Sequence, residues 1–388
     1  NISELSVSAT LFGLHLTHPF YNTDQRSGRF SKMYTKPNAE KLSKYMSKYF
    51  PNQNLEPVLK FINKGFSIYK NNIDSATELV ANFIKEERPF ANDKYIQTQA
   101  PKIAQEQMRM FISTINPTAL DYTVDLSTLT AMYRSAWTPE MRDIVNQMKN
   151  LVLKSYPDLS YMFNKGTVRK DNWVPRMHFK QVGVKTSPVC RVLGVNLSNV
   201  PIHLNTKMPD SVDLKYFTPE SMNNNVSTID TRVELSLATM GQDQRHRTIK
   251  RSEPELTGNF YLPPVCHALG LQNDAIDYMK EYANLAKTHD KNLVLSVAPY
   301  GVMSTYVKHS DLNALIHEQE KRLCWSAQEE IYHLSKQLHD YLADNGHKDL
   351  AAKLTPACYR KACIEGSRYC GRDTKKSKNS SIIPQRKI

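Results

Sequence analysis

The chain has 388 residues, with 51 Lys and Arg against 38 Asp and Glu, a formal net charge of +13. That length suits roughly two or three ordinary domains, and the scarcity of glycine (13 residues), with no G-x-G-x-x-G or Walker-type loop, argues against a Rossmann or P-loop nucleotide site, where the backbone must approach a phosphate closely. The basic balance favours an anionic partner, whether nucleotide, nucleic acid or acidic protein surface.

No run approaches the roughly 18 apolar residues of a membrane span, and no secretory leader is visible. No membrane association is expected, and the location is expected to be cytoplasmic, or an organelle matrix if a targeting segment was removed. The chain opens inside a stretch that reads as structured, 5–16, so sequence ahead of Asn1 is expected to be missing. Helical patterns follow at 39–49, 55–70, 74–87 and 101–114. Asp125-Leu126-Ser127-Thr128-Leu129 precedes Arg134. Thr138 can then cap a helix, with Pro139 at its first position and Glu140 suited to its dipole. Ile144, Met148, Leu151 and Val152 give that helix an apolar stripe. Segment 155–170, with Pro157 and Asn164-Lys165-Gly166, reads as a junction. Beyond it come β-rich sequence at 182–204, a strand at 227–239 and helices at 273–288, 308–321 and 326–343.

The order met at 125–152 returns late in the chain. Asp311-Leu312-Asn313-Ala314-Leu315 precedes Arg322, and Ser326-Ala327-Gln328-Glu329 reads as a capping box. Its helix carries Ile331, Leu334, Leu338 and Leu342 and stops near Asn345-Gly346. This is an internal repeat, and it divides the chain into copies at 1–165 and 166–371. A Lys/Ser/Asn/Arg-rich tail at 372–388 has little to bury and is expected to be disordered.

Six cysteines occur. Cys190, Cys266 and Cys324 are scattered and read as reduced, buried thiols. Cys358, Cys363 and Cys370 form C-x4-C-x6-C; with Cys324 or His267 as a fourth ligand they could bind zinc, and free thiols or a local disulfide are the other readings. His178, His203, His309, His317 and His333 show no metal-ligand spacing, and helical Tyr and Phe residues read as packing.

Gln242-Asp243-Gln244-Arg245-His246-Arg247 follows the strand, with Glu253 six residues on. Two arginines flanking an imidazole make a dense donor set suited to phosphate and carbonyl oxygens; a solvated basic turn is the plain alternative. The segment resembles the R-H-R-x-x-S-x-N-E-x-S-x-R-Y signature of flavin-dependent thymidylate synthases. Phe260-Tyr261-Leu262-Pro263 is similar to the aromatic-Pro stretch that follows it there. Arg322-Leu323-Cys324-Trp325-Ser326-Ala327-Gln328-Glu329-Glu330-Ile331 resembles that family's R-x-C-x-x-A-Q-x-E-I segment. The second copy departs from the signature at Lys250, Ser252, Glu255 and Thr257. In the first copy, Ser27-Gly28-Arg29-Phe30-Ser31-Lys32 is similar to the signature's end, while Thr17, His18 and Pro19 stand at its Arg-His-Arg and Gln25 at its Glu.

The resemblance implies an α/β (α+β) protein of two tandem, partly degenerate thymidylate-synthase-like domains, each a small sheet flanked by long helices. It implies one composite site between the copies, with the opposite site closed or hostile. Arg245, His246, Arg247 and Glu253 would contact FAD. Ser27, Gly28, Arg29, Arg134, Gln242 and Arg322 would hold a deoxyuridine nucleotide. The reaction implied is one-carbon transfer to C5 of the nucleotide, with methylenetetrahydrofolate and NADPH as co-substrates and no protein cysteine as nucleophile. A homodimer would then stand in for the family's tetramer. The alternative is a degenerate paralogue: a pseudoenzyme scaffold, or a nucleic-acid-associated subunit of a larger assembly.

Overall fold

The computed structural model describes residues 1–16, 21–25, 35–203, 219–360, 363, 365, 366, 369–375, 377, 378, 380 and 382–388. In the first half, β1 (Ile2–Ser6) runs into the short helix α1 (Val7–Phe12), followed by β2 (Tyr21–Gln25), α2 (Ala39–Tyr49), α3 (Glu56–Glu87) and α4 (Asp93–Met108). Then come β3 (Pro117–Val124), α5 (Leu126–Ser135), α6 (Pro139–Ser155) and α7 (Ser160–Asn164). The three strands form one antiparallel sheet, order β1-β3-β2. Leu5, Leu120, Leu129, Met141, Ile144 and Val145 bury the face that α5 and α6 cover.

The second half begins with β4 (Met177–Lys185), β5 (Val189–Asn196) and β6 (Thr228–Ser236), the last running into α8 (Leu237–Asp243). It continues through β7 (Lys250–Arg251), β8 (Glu255–Tyr261), α9 (Pro264–Ala268), α10 (Gln272–Thr288) and α11 (Lys291–Ser296). It ends with β9 (Val302–Asp311), α12 (Leu312–Arg322), α13 (Glu329–Asp344), α14 (Lys348–Ala351) and α15 (Ala357–Arg360). Its sheet has the order β4-β8-β9-β6-β5, with β7 also on β9; β4 and β8 are parallel and the other pairs antiparallel.

The two halves share several local features. β1 ends on Ser6, whose side chain accepts from the Ala9 amide to cap α1, and β6 ends on Ser236, which caps α8 through Thr239. β3 leads to the cap Asp125, and β9 to the cap Asp311. Each capping serine then binds a buried glutamate in the first turn of a later helix: Ser6 Oγ donates to Glu140 at 3.0 Å, and the Ser236 amide donates to Glu330 at 2.6 Å. An Ncap oxygen satisfies one orphan amide of a helix start; the glutamate holds that cap in place.

The halves meet through a reciprocal pair of backbone bonds. The Thr114 amide donates to the Ala298 carbonyl at 2.8 Å, and the Tyr300 amide to the Ile112 carbonyl at 2.9 Å, around a single bridge between Ser113 and Pro299. Residues 112, 113 and 114 stand to 298, 299 and 300 by one constant offset, so each half gives what it receives. One apolar core runs through the contact, joining Val7, Leu11, Phe111 and Ile112 to Val233, Leu235, Phe260 and Tyr278. Gly65 is required there, because a Cβ would lie 2.1 Å from the Phe111 carbonyl oxygen and 2.2 Å from the Tyr278 hydroxyl.

Four expectations are corrected. The helices at 55–70 and 74–87 are one 32-residue helix, α3, because the stripe Tyr69, Ala76, Val80, Ile84 continues in phase without a breaker. The helix expected at 101–114 starts at Asp93 under an Asn92 cap and carries Pro101 inside it. The helix expected from 308 starts at Leu312, since β9 keeps its register with β6 to Asp311. The tail expected to be disordered is packed in its described residues: Arg372 lies over the Trp325 ring at 5.0 Å, Arg386 over Tyr332 at 5.3 Å, and Ile383 and Ile388 are buried. Charge alone suggested a solvated tail, yet guanidinium groups pack well on aromatic faces. Beyond Gly166, the Arg169 amide donates to the Arg134 carbonyl and the Trp173 amide to the Trp137 carbonyl. Among the described residues no helix is long and apolar enough to cross a membrane.

Candidate functional site

The segment after α8 turns through Arg245-His246-Arg247 and is fixed from beneath. Arg251 threads its guanidinium into the turn, donating to the carbonyls of Asp243, His246 (3.1 Å) and Ile249 (2.8 Å) and to the Asp243 carboxylate at 2.6 Å. Asp243 is fully buried and also accepts from Lys308 at 2.6 Å and Tyr306 at 2.8 Å. Burial alone would raise its pKa, but Arg251 and Lys308 outweigh burial and hold it well below the usual carboxylate range. Lys308 reaches Glu318 as well, at 2.6 Å, and burial raises the Glu318 pKa.

The two sequence motifs interlock above this network. Arg322 donates through Nε to His246 Nε2 at 2.9 Å and through Nη2 to the Gln242 carbonyl at 2.7 Å. The Gln242 side chain donates to Gln328, which also accepts from Arg109 at 3.1 Å. Since a guanidinium only donates, His246 Nε2 is an acceptor and its ring proton sits on Nδ1. Burial, then the nearby Arg322, push the His246 pKa well down, so the ring is neutral near pH 7.

This wall separates two cavities. The first, about 370 Å³, is lined by Arg245, His246, His317, Lys321 and Arg322, with Glu320, Glu365, Cys324, Cys358 and Cys363. Three cations oppose two carboxylates, so it is modestly positive. The second, about 690 Å³, lies at the junction of the halves. His15, Tyr21 and Trp137 come from the first half, Arg169 and Trp173 from the connection, and Arg247, Lys250, Arg251 and Glu253 from the second half. Both volumes fall in the ~300–1,000 Å³ range usual for small-molecule sites.

The structure therefore divides the expected cofactor set. Arg245 and His246 face the first cavity, Arg247 and Glu253 the junction cavity, and Glu253 accepts from the Trp173 indole. As one set, these four residues do not line a single cavity. Of the expected substrate contacts, Arg322 lines the first cavity, whereas Gln242 is buried behind the wall. Arg134 lines neither cavity and donates to the Met162 carbonyl at 2.7 Å. Ser27, Gly28 and Arg29 lie outside the described residues. Of the two residues named for the opposite site, Pro19 lies outside the described residues and Glu255 is tied to Arg176 and, at 2.8 Å, to His178.

No group of three or more His, Cys, Asp or Glu converges as metal ligands among the described residues. Cys358 and Cys363 line the first cavity, while Cys370 is buried against Trp325, Tyr332 and Tyr359. All six cysteines are free thiols, and burial pushes Cys358 up to about 12. Sequence reasoning missed His15, Tyr21, Trp137 and Trp173, whose aromatic character reads as packing until two halves place them in one wall. It also missed Lys321, adjacent to Arg322 at the end of α12.

No family model matches the chain and no curated protein matches it. Among solved structures the chain is similar to the UMP/dUMP methylase PolB from Streptomyces cacaoi, crystallised with 5-Br UMP, at 15% identity and a TM-score of 0.34 over 44% of this chain and 97% of that one.

Proposed function

We propose that the chain is a tandem duplication in the manner of the flavin-dependent thymidylate synthases, and that its first cavity binds a uracil nucleotide for one-carbon transfer to C5. The observation that carries this is the pairing of Arg245 with Arg322. They lie far apart in sequence yet line one cavity, and Arg322 is aimed by two hydrogen bonds to the segment that bears Arg245. Guanidinium groups held in fixed directions suit a phosphate or a pyrimidine carbonyl, and a preoriented donor costs little reorganisation when charge develops on the ring. Neutral His246 keeps Arg322 in place and adds no charge of its own. FAD, where bound, would carry the one-carbon unit, and its expected contacts are divided between two cavities.

In this reading the chain's own two-fold replaces a subunit interface, and a homodimer would complete the family's four-domain assembly. The test is product formation. Incubation with dUMP, methylenetetrahydrofolate, NADPH and FAD should yield thymidylate, and Arg245→Ala should abolish it while the fold is retained. A second reading, a nucleotide-binding protein without transfer, is favoured by the internal use of motif residues: Gln242 and Glu253 are spent on protein partners. Nucleotide binding without product under all these conditions would select it.

A further inference from the structure

α6 stops at Tyr156, whose amide donates to the Val152 carbonyl at 2.8 Å; a residue ahead of a proline, here Pro157, is held out of the helical region. The chain reverses through the short turn Pro157–Leu159 and runs back along α6 as a strap. Its inner side is pinned. Phe163 is buried against the Tyr133 ring, planes at 86°. Arg134 donates to the Met162 carbonyl at 2.7 Å, and its own carbonyl accepts from the Arg169 amide at 2.8 Å. The return is antiparallel to the helix. The Phe163 ring lies 5.9 Å from the Lys149 ammonium, well along α6, and the Asp171 carbonyl accepts from Arg142, near its start, at 3.4 Å. The 17 residues of α6 span about 25 Å, and the strap displays its outer side along much of that length.

That outer side carries rings and cations together. Tyr156 is 65% exposed and Tyr161 56%. Between 149 and 170 the sequence places five cations and one carboxylate, Asp158. Lys149 is taken up by Tyr133, its ammonium 4.2 Å from the ring, and Arg169 by Asp171 at 2.8 Å. Lys154, Lys165 and Lys170 are exposed and make no ion pair among the described residues. The Lys165 ammonium lies 5.7 Å from the Tyr161 ring, which presents charge and ring side by side. Single exposed apolar side chains are ordinary. Exposed rings alternating with unpaired cations along one strap are the pattern of a surface that stacks bases and meets phosphates. Lysine is depleted in protein–protein interfaces, which disfavours a protein partner here.

We propose that the strap is a docking surface for a single nucleic-acid strand, with bases stacking on Tyr156 and Tyr161 and phosphates meeting Lys154, Lys165 and Lys170. A single strand is selected because a duplex keeps its base faces stacked on one another. The length displayed suits about four or more nucleotides. The surface uses no residue of the first cavity, so it stands or falls separately from the uracil-nucleotide reading.

The whole chain would be titrated into an end-labelled oligothymidylate of about twelve nucleotides, read by fluorescence anisotropy. The logarithm of the affinity should fall linearly with the logarithm of salt concentration, and Lys165→Ala and Lys170→Ala should each lower that slope by about 0.7. Lys60→Ala, at an exposed position of α3, makes the same change in net charge and should leave the affinity unchanged. Tyr156→Ala and Tyr161→Ala should each weaken binding by about fivefold or more, with Tyr156→Phe and Tyr161→Phe close to the parent. Excess dUMP should not displace the strand. The proposal is overturned if the oligothymidylate does not bind at about 50 mM salt, if Lys60→Ala weakens it as much as Lys165→Ala, if the Tyr→Ala variants bind as the parent does, or if dUMP displaces it. Equal binding of a duplex would leave charge without stacking, and equal competition by polyglutamate would assign the surface to an acidic protein; either result also overturns it.

Discussion

Trp137 closes the end of α1 as Arg322 closes the end of α8. The Trp137 indole donates to the Phe12 carbonyl at 2.6 Å, and the Arg322 guanidinium to the Gln242 carbonyl at 2.7 Å. Phe12 and Gln242 occupy the same place after the capping serines, Ser6 and Ser236. One half thus has a guanidinium at this place and the other an indole; thiols line the first cavity and tryptophans the second, while cations line both.

Trp137→Phe keeps the ring and removes the donor, leaving the Phe12 carbonyl unpaired. It should destabilise the protein by about 1–3 kcal/mol, read from the denaturant midpoint. A midpoint unchanged from the parent would show that the bond contributes nothing.

Asp243→Asn strips the shared partner from Lys308, Arg251 and Tyr306, all buried or nearly so. Breaking a buried pair by removing one partner costs about 3–5 kcal/mol, and the Arg245–Arg247 turn should loosen with it. Faster amide hydrogen exchange at 244–250 in the variant is the local readout. Exchange unchanged there would detach the turn from the network.

Glu330 gives a pH signature. Burial, against its hydrogen bonds to Ser236 and Thr239, raises its pKa to about 7 from the ordinary 4.5. In the window between those values the folded protein keeps a proton that the unfolded chain has lost. Stability therefore falls as pH rises from about 4.5 to about 7, by about 3 kcal/mol for this group, and is flat above. Glu330→Gln should remove that slope and raise the melting temperature at pH 8. An equal slope in parent and variant would assign it elsewhere.

How far the sequence discloses this arrangement depends on the range of the interaction. The Thr138 cap and the helix beginning at Pro139 are local, carried by a cap residue and an apolar stripe, and they are found where the sequence places them; the capping box read at Ser326 does not form, since that helix starts at Glu329 after Gln328 with no side-chain cap bond. The Ser6–Glu140 and Ser236–Glu330 clasps span most of a half each, and only the repeat itself could have exposed them. Gln242 reads as a ligand contact because its neighbours match a motif, yet its side chain turns inward to Gln328. Arg134 follows a matching Leu-x-x-Leu but is drawn to Met162, a partner the repeat does not supply. Charge pattern misled at the tail, since Arg372 and Arg386 rest on rings far earlier in the chain.

Those two contacts make the tail a stability element. Arg372→Ala removes a guanidinium from the Trp325 and Tyr359 faces and should cost about 1–2 kcal/mol. Limited proteolysis should then cut within 372–388 before the body of the chain. Cleavage there at the same rate in parent and variant would show the packing to be too weak to protect it.

The central claim, a uracil nucleotide held between Arg245 and Arg322, is tested most directly by calorimetric titration of dUMP into the parent chain, Arg245→Ala and Arg322→Lys. The account predicts saturable binding to the parent and loss of about tenfold or more with either substitution, at unchanged melting temperature for Arg245→Ala. Binding that is absent in the parent, or that persists undiminished in Arg245→Ala, would contradict it.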